Sequence, residues 1–176
     1  MRKFLVLLLG FLVGLLLVGG FIAYRMGAFN SPDLAREERE AYRIVCLPHQ
    51  GAYDKISQTI REVKRQLADH EDQLGPPCAV YQDDPEQVAE DELRGLAGFV
   101  LRGDVPVRGR LEVRAIPRRL VLVARFKGHP AVAAMKNYPA MHVWMEEHGC
   151  EAVGPAVEFY HADEVECEIP IRRSGG

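Results

Sequence analysis

The sequence predicts an α+β protein: two strand-helix-strand-strand units sharing one antiparallel sheet, with two helices on one face, preceded by one apolar helix. Three observations carry this reading. The order strand, Gly turn, long helix, two strands occurs twice, and Gly75-Pro76 leads to Tyr81 at the spacing at which Gly154-Pro155 leads to Tyr160. Apolar residues step by three or four along 52–70 (Ile56, Ile60, Val63, Leu67) and along the second helix (Val132, Met135, Tyr138, Met141, Met145), the helical period. Residues 4–24, FLVLLLGFLVGLLLVGGFIAY, carry no charge.

Taken in order, residues 1–25 read as an N-terminal transmembrane anchor, because about 20 apolar residues suffice to span a bilayer. A cleaved signal peptide is the competing reading, but the run is longer than a usual signal core and ends in a poor cleavage site. Gly10 and Gly14 have the GxxxG spacing of close helix pairs, although Gly is common in spanning helices. The expected localisation is single-pass membrane, with the side of the remaining chain open, since Lys and Arg nearly balance across the run. Residues 26–40 read as a polar juxtamembrane linker. Residues 41–171 read as the folded domain, with repeats at about 41–102 and 111–171, and 172–176 as a tail.

Within the domain, Ala41 to Leu47 has strand composition and stops at Pro48-His49-Gln50-Gly51, before the first helix. Gly75-Pro76-Pro77 precedes the strand Ala79-Val80-Tyr81, and Leu96 to Leu101 is the next. Leu120 to Phe126, LVLVARF, opens the second unit, and Gly128-His129-Pro130 punctuates it as Gly51 does the first. Gly149 closes the second helix, and strands follow at Val157 to Tyr160 and Val165 to Ile171. One such unit leaves a sheet edge and face open; two side by side share a sheet, with a concave, helix-free face between the copies. A groove between two halves is a usual place for a ligand.

Composition removes several functions. The net charge of −3 lacks the strongly basic face of a nucleic-acid binder. Cys46, Cys78, Cys150 and Cys167 form no CxxC pair; disulfides and buried thiols both remain open. The six His lack metal-ligand spacing, so no metal or cofactor is expected, although His49 and His129 occupy equivalent turns. No nucleophile elbow or phosphate loop marks an enzyme.

The stretches YRIVCLPHQGAYDKI, GPPCAVYQDDPEQVAEDELRGLAGFVL and MHVWMEEHGCEAVGPAVEFYHADEVECEIPI resemble the GyrI-like, or AraC-type effector-binding, superfamily over about Ala41 to Ile171. The closing Glu166-to-Ile171 segment is the most characteristic piece. The resemblance implies a duplicated fold with a central cleft that binds amphipathic, often cationic, small molecules. A protein-interaction adaptor, or a hydrolase of electrophilic small molecules, are the alternatives it leaves. The apolar run ahead of the domain resembles the anchored arrangement of a receptor of endoplasmic-reticulum autophagy. That role is not carried over, because no counterpart of the receptor's autophagy tail is read here. No helix-turn-helix is read ahead of the domain either, so DNA-binding regulation is set aside. The expected partners are a small-molecule ligand, the bilayer through residues 4–24, and a possible protein.

The site residues follow from that resemblance. Glu166 matches the acidic residue of the last strand associated with cationic ligands. A carboxylate at the floor of an apolar cleft is costly until a cation pairs with it, and a salt-bridged strand Glu is the structural alternative. Glu168 lies two residues on, hence on the same face. The repeat sets Arg94-Gly95-Leu96-Ala97-Gly98 against Glu166-Cys167-Glu168-Ile169-Pro170, which places Arg94 across the cleft from Glu166. Tyr81 and Tyr160 end equivalent strands and are expected to line the cleft; Tyr53 is expected at its rim. Trp144 is a candidate wall as well as a core residue. The arginines from Arg102 to Arg119 read as a solvated connector.

Overall fold

The computed structural model describes residues 2–175, and the side chains of all of these except residues 2, 5, 6 and 8. The apolar run forms helix α1 (Arg2–Arg25). The membrane expectation is nevertheless corrected: among the described residues no helix is long and apolar enough to cross a membrane. The anchor, the membrane localisation and the lipid partner go with it.

The rest is α+β. The strands are β1 (Asp33–Arg39), β2 (Tyr42–Gln50), β3 (Leu74–Tyr81), β4 (Arg94–Leu101), β5 (Glu112–Ile116), β6 (Arg119–Lys127), β7 (Cys150–Ala152), β8 (Ala156–Tyr160) and β9 (Glu164–Arg173). Helix α2 (Ile56–Gln66) follows a single 3-10 turn, and α3 is Pro130–Glu147. The sheet order is β1-β6-β9-β8-β3-β4-β2-β5, with β7 beside β9, and every pairing is antiparallel. The order is the same from either end once the halves are exchanged, so a pseudo-twofold axis lies between β3 and β8. Their register sets Ala79 against Glu158. These two residues are repeat equivalents, since Tyr81 and Tyr160 each lie two residues on.

Two strands differ from expectation. The linker 26–40 contains β1, and the Arg102–Arg119 connector contains β5. Each leads one unit but pairs with the other: β1 with β6, β5 with β2. Their charged sequences suit the outer edges of the sheet, where lysines, arginines and glutamates discourage further pairing.

This exchange bends the sheet. Only residues 40 and 41 join β1 to β2, yet the two strands stand six places apart in the order. At about 4.8 Å per strand a flat sheet would separate them by about 29 Å, whereas three Cα steps reach at most about 11 Å. The sheet therefore curls until its ends meet. Tyr42 Oη of β2 donates to Glu168 Oε1 of β9, four places away, and Tyr42 and Phe159 stack edge-on with ring centroids 5.8 Å apart.

The concave, helix-free face is consequently filled. Ile44, Cys46, Cys78, Val80, Ile116, Val157 and Phe159 are buried there with no helical residue in the cluster. Beside them Arg119 contacts Glu168, Arg39 Nη2 lies 2.5 Å from Glu166 Oε1, and Arg125 Nε donates to Glu166 Oε2 at 2.7 Å. Arg125 also pairs with Glu37 at 2.8 Å and holds that carboxyl below its ordinary range. The expected open hollow on this face is absent because the curl brings its own side chains together. On the convex face, α2 packs over β4, β2 and β3, and α3 over β6, β7 and β9. The seam between β3 and β8 falls between the two helices.

Glu168 is 1% exposed and clamped by two arginines and a tyrosine. Replacing it with alanine leaves the Arg119 guanidinium without a carboxylate among the described residues, while Arg39 keeps Glu166, a loss of about 3–5 kcal/mol for a buried pair deprived of one partner. Urea unfolding of Glu168→Ala is expected to show a lowered midpoint at unchanged slope.

Candidate functional site

Side-chain alternation decides which carboxylates face the helices. Cys167 packs under Met141 and Met145 of α3, so its neighbours Glu166 and Glu168 point to the concave face. Glu158 pairs directly with Cys167 across β8 and β9 and shares its face. It is therefore Glu158, and neither Glu166 nor Glu168, that lies on the helix side of the seam.

Glu158 is 6% exposed. Tyr138 of α3 donates to its Oε1 at 2.9 Å and Tyr160 to its Oε2 at 2.9 Å. Tyr81 and Tyr160 hydroxyls lie 2.7 Å apart, with Tyr81 3.3 Å from Oε2. With one proton per hydroxyl, the short distances define a chain in which Tyr81 donates to Tyr160, Tyr160 to Glu158, and Tyr138 to Glu158. Tyr53 continues the aromatic wall, edge-on to Tyr81 at 4.7 Å between centroids. It is pinned by donating to the Arg94 carbonyl at 2.7 Å and accepting from the Asp83 N–H at 3.2 Å. All four tyrosines keep part of their surface open to solvent.

The electrostatics are one-sided. Among the described residues no Lys, Arg or His forms an ion pair with Glu158, whereas Glu166 and Glu168 each contact two arginines. Burial pushes the Glu158 carboxyl above its ordinary range, and the three hydroxyls only partly offset that. Burial, reinforced by Glu158, also raises Tyr81, Tyr138 and Tyr160, so they remain protonated donors. The arrangement is a polar socket whose carboxylate can take a positive charge or a proton.

The other expected site residues sit elsewhere. Arg94 is exposed and forms a two-pronged pair with Asp83 at 2.7 and 2.9 Å, away from Glu166. The repeat alignment behind that expectation is off by two: Tyr81 pairs with Gly95 and Tyr160 with Val165, so Arg94 corresponds to Glu164. Trp144 stacks on His148 at 3.9 Å and packs in the second-half core. His49 is buried against Thr59 and the Ala52 carbonyl, while His129 caps α3, so the two histidines do not meet. The four cysteines are free, with Cys46 pushed up to about 11 by burial. Among the described residues no cluster of three or more His, Cys, Asp or Glu could hold a metal. A depression of about 660 Å³ lies away from the tyrosines, lined by Gln50, Gly51, Ala52, Lys55, Glu90 and Asp91. It has few apolar walls and no convergent buried polar group.

Glu158 was legible in one respect. It is the lone charge in the apolar strand Val157-Glu158-Phe159-Tyr160, inside the echo that led to Tyr160.

The raised carboxyl links stability to pH. The folded state holds the Glu158 proton more tightly than the unfolded chain does, so this contribution is fully present below the ordinary glutamate pKa of about 4.3 and is lost as pH rises through the folded value. Thermal melts of Glu158→Gln are expected to lose that component of the pH dependence, with the unaltered chain destabilised relative to the variant as pH rises.

The fold has known counterparts. The C-terminal domain of EcmrR superposes with a TM-score of 0.67 at 13% identity, covering 81% of this chain and 98% of that domain. EcmrR in its DNA complex gives 0.67 at 12% identity; the chain spans 63% of that protein, with 89% of its own length covered. SAV2435, solved with tetraphenylphosphonium, gives 0.59 at 11% identity over 80% of this chain and 94% of that one. A hydrolase encoded by lin2189 from Listeria innocua gives 0.56 at 11% identity, covering 85% and 98%. At these identities the likeness is one of fold. None of it supports the anchored, autophagy-receptor resemblance, and no curated protein matches the chain. The model of the GyrI-like small molecule binding domain matches residues 36–172, from within β1 to the end of β9, and the chain belongs to that family.

Proposed function

We propose that the protein binds a hydrophobic organic cation between α2 and α3, with Glu158 as counter-ion and Tyr53, Tyr81, Tyr138 and Tyr160 as walls. One observation carries this reading: a buried carboxylate ringed by hydroxyl donors, with no cationic side chain paired to it among the described residues. Such a group is costly to ionise alone. A ligand cation supplies the missing charge, and the tyrosine faces add about 0.5–2 kcal/mol of cation–π attraction. The Tyr138 and Tyr160 hydroxyls hold the carboxylate in place as the cation binds. The cation-binding role expected of Glu166 is reassigned to Glu158, since Arg39 and Arg125 already neutralise Glu166. The tetraphenylphosphonium bound by the similarly folded SAV2435 is consistent with this ligand class.

Calorimetry and thermal shift of the full chain with tetraphenylphosphonium test it. The melting point of the unaltered chain is expected to rise, and Glu158→Gln to weaken binding about tenfold or more, equivalent to about 1.4 kcal/mol. Glu166→Gln is expected to bind within about twofold of the unaltered chain. Equal affinity of Glu158→Gln and the unaltered chain would refute the assignment.

A further inference from the structure

Helix α3 touches the site and the end of α1 at once. Tyr138 donates to Glu158 on one side. Lys136, two residues away and so about 200° around the helix, reaches the other side. Its Nζ donates to the carbonyls of Ala28 at 2.6 Å and Asn30 at 2.5 Å, just past the end of α1, and sits 5.8 Å from the Phe126 ring. The joint there is closely built. Met26 O accepts from the His129 N–H at 3.1 Å, and Asn30 donates to the Lys127 carbonyl at 2.6 Å. Gly27 and Gly128 pack back to back: a Cβ on Gly27 would lie 2.7 Å from Lys127 O, and one on Gly128 2.6 Å from Met26 O. No side chain fits between the α1 turn and the β6–α3 turn.

Two features make the first part of α3 movable as a unit. Pro139 lies inside the helix directly after Tyr138, removing the hydrogen bond that its N–H would make to Met135. Asn137 is 1% exposed, yet its Oδ1 has no hydrogen-bond partner among the described residues. A buried acceptor without a protein partner makes the present seat of the segment costly.

We propose that residues 130–138 of α3 form a rocker, hinged at Pro139, that transmits occupancy of the Glu158 site to the C-terminal turn of α1. The proposal rests on the cation-binding reading for its input. When the cation arrives it pairs with Glu158 and repositions the Tyr138 hydroxyl that donates to Oε1. The segment is drawn toward the sheet, and Lys136 carries the shift to the Ala28 and Asn30 carbonyls. The two sites are then coupled reciprocally, as any such linkage requires.

Hydrogen exchange of the full chain, with and without saturating tetraphenylphosphonium, tests this. In the unaltered chain, amide exchange across residues 24–30 is expected to change about fivefold or more on adding the cation. Lys136→Met is expected to lose that change, with its affinity for the cation shifted by about the same factor. Cation binding with no change at residues 24–30 would overturn the rocker while leaving the site intact. Should the cation not bind at all, the ligand-free arm decides: Tyr138→Phe alone is expected to alter exchange at residues 24–30, and Lys136→Met to abolish that effect. An unaltered pattern there overturns the rocker independently of the ligand.

Discussion

A carboxylate buried at the seam of two half-domains, beside hydroxyls and not beside a cation, is the constraint on which the functional reading depends. Glu158 occupies the pseudo-twofold axis, where its repeat equivalent is Ala79. The first half meets the seam with small residues, Ala79 and Ala97, packed under Ile56 and Tyr53. The second half meets it with a charge. The duplication supplies the symmetric frame, and this single replacement makes the seam chemically one-sided.

The same sheet treats its other acidic residues differently. Glu166 and Glu168 lie on the concave face, where Arg119 and Arg125 of the neighbouring β6 and Arg39 of β1 beyond it reach them. Desolvation there is offset by close opposite charges, so these groups tie β1, β6 and β9 together, and Tyr42 of β2 joins them at Glu168. Glu158 sits one strand away and one face over, with tyrosines only. A fully matched carboxylate is a structural tie; one lacking its countercharge is poised to accept it from outside.

Much of the architecture was legible in sequence because it follows from punctuation and period. The Gly-Pro echo before Tyr81 and Tyr160, and the three-four spacing around Ile56 and Met141, are direct consequences of strand and helix geometry. Strands β1 and β5 were not legible. DLAREER and EVRAI occupy sheet edges and need little apolar alternation, so charge mixing masked them. Their exchange between units has no local signature, since it depends on where the partner strand lies. The sequence reading grouped Tyr81 and Tyr160 with Glu166, whereas the structure sets Glu158 beside these two tyrosines and turns Glu166 to the other face. The last strand alternates its acids onto the far face, a fact fixed by its register under α3 and not by its composition. Residues 4–24 form a helix as read, but among the described residues no helix is long and apolar enough for the membrane role expected of them.

The central claim, that Glu158 waits for a positive charge, is tested most directly by carbon-13 NMR of its side-chain carboxyl across a pH titration. The account predicts a midpoint above that of an ordinary glutamate in the free protein, falling when tetraphenylphosphonium is present. A midpoint in the ordinary range that ignores the cation would contradict it.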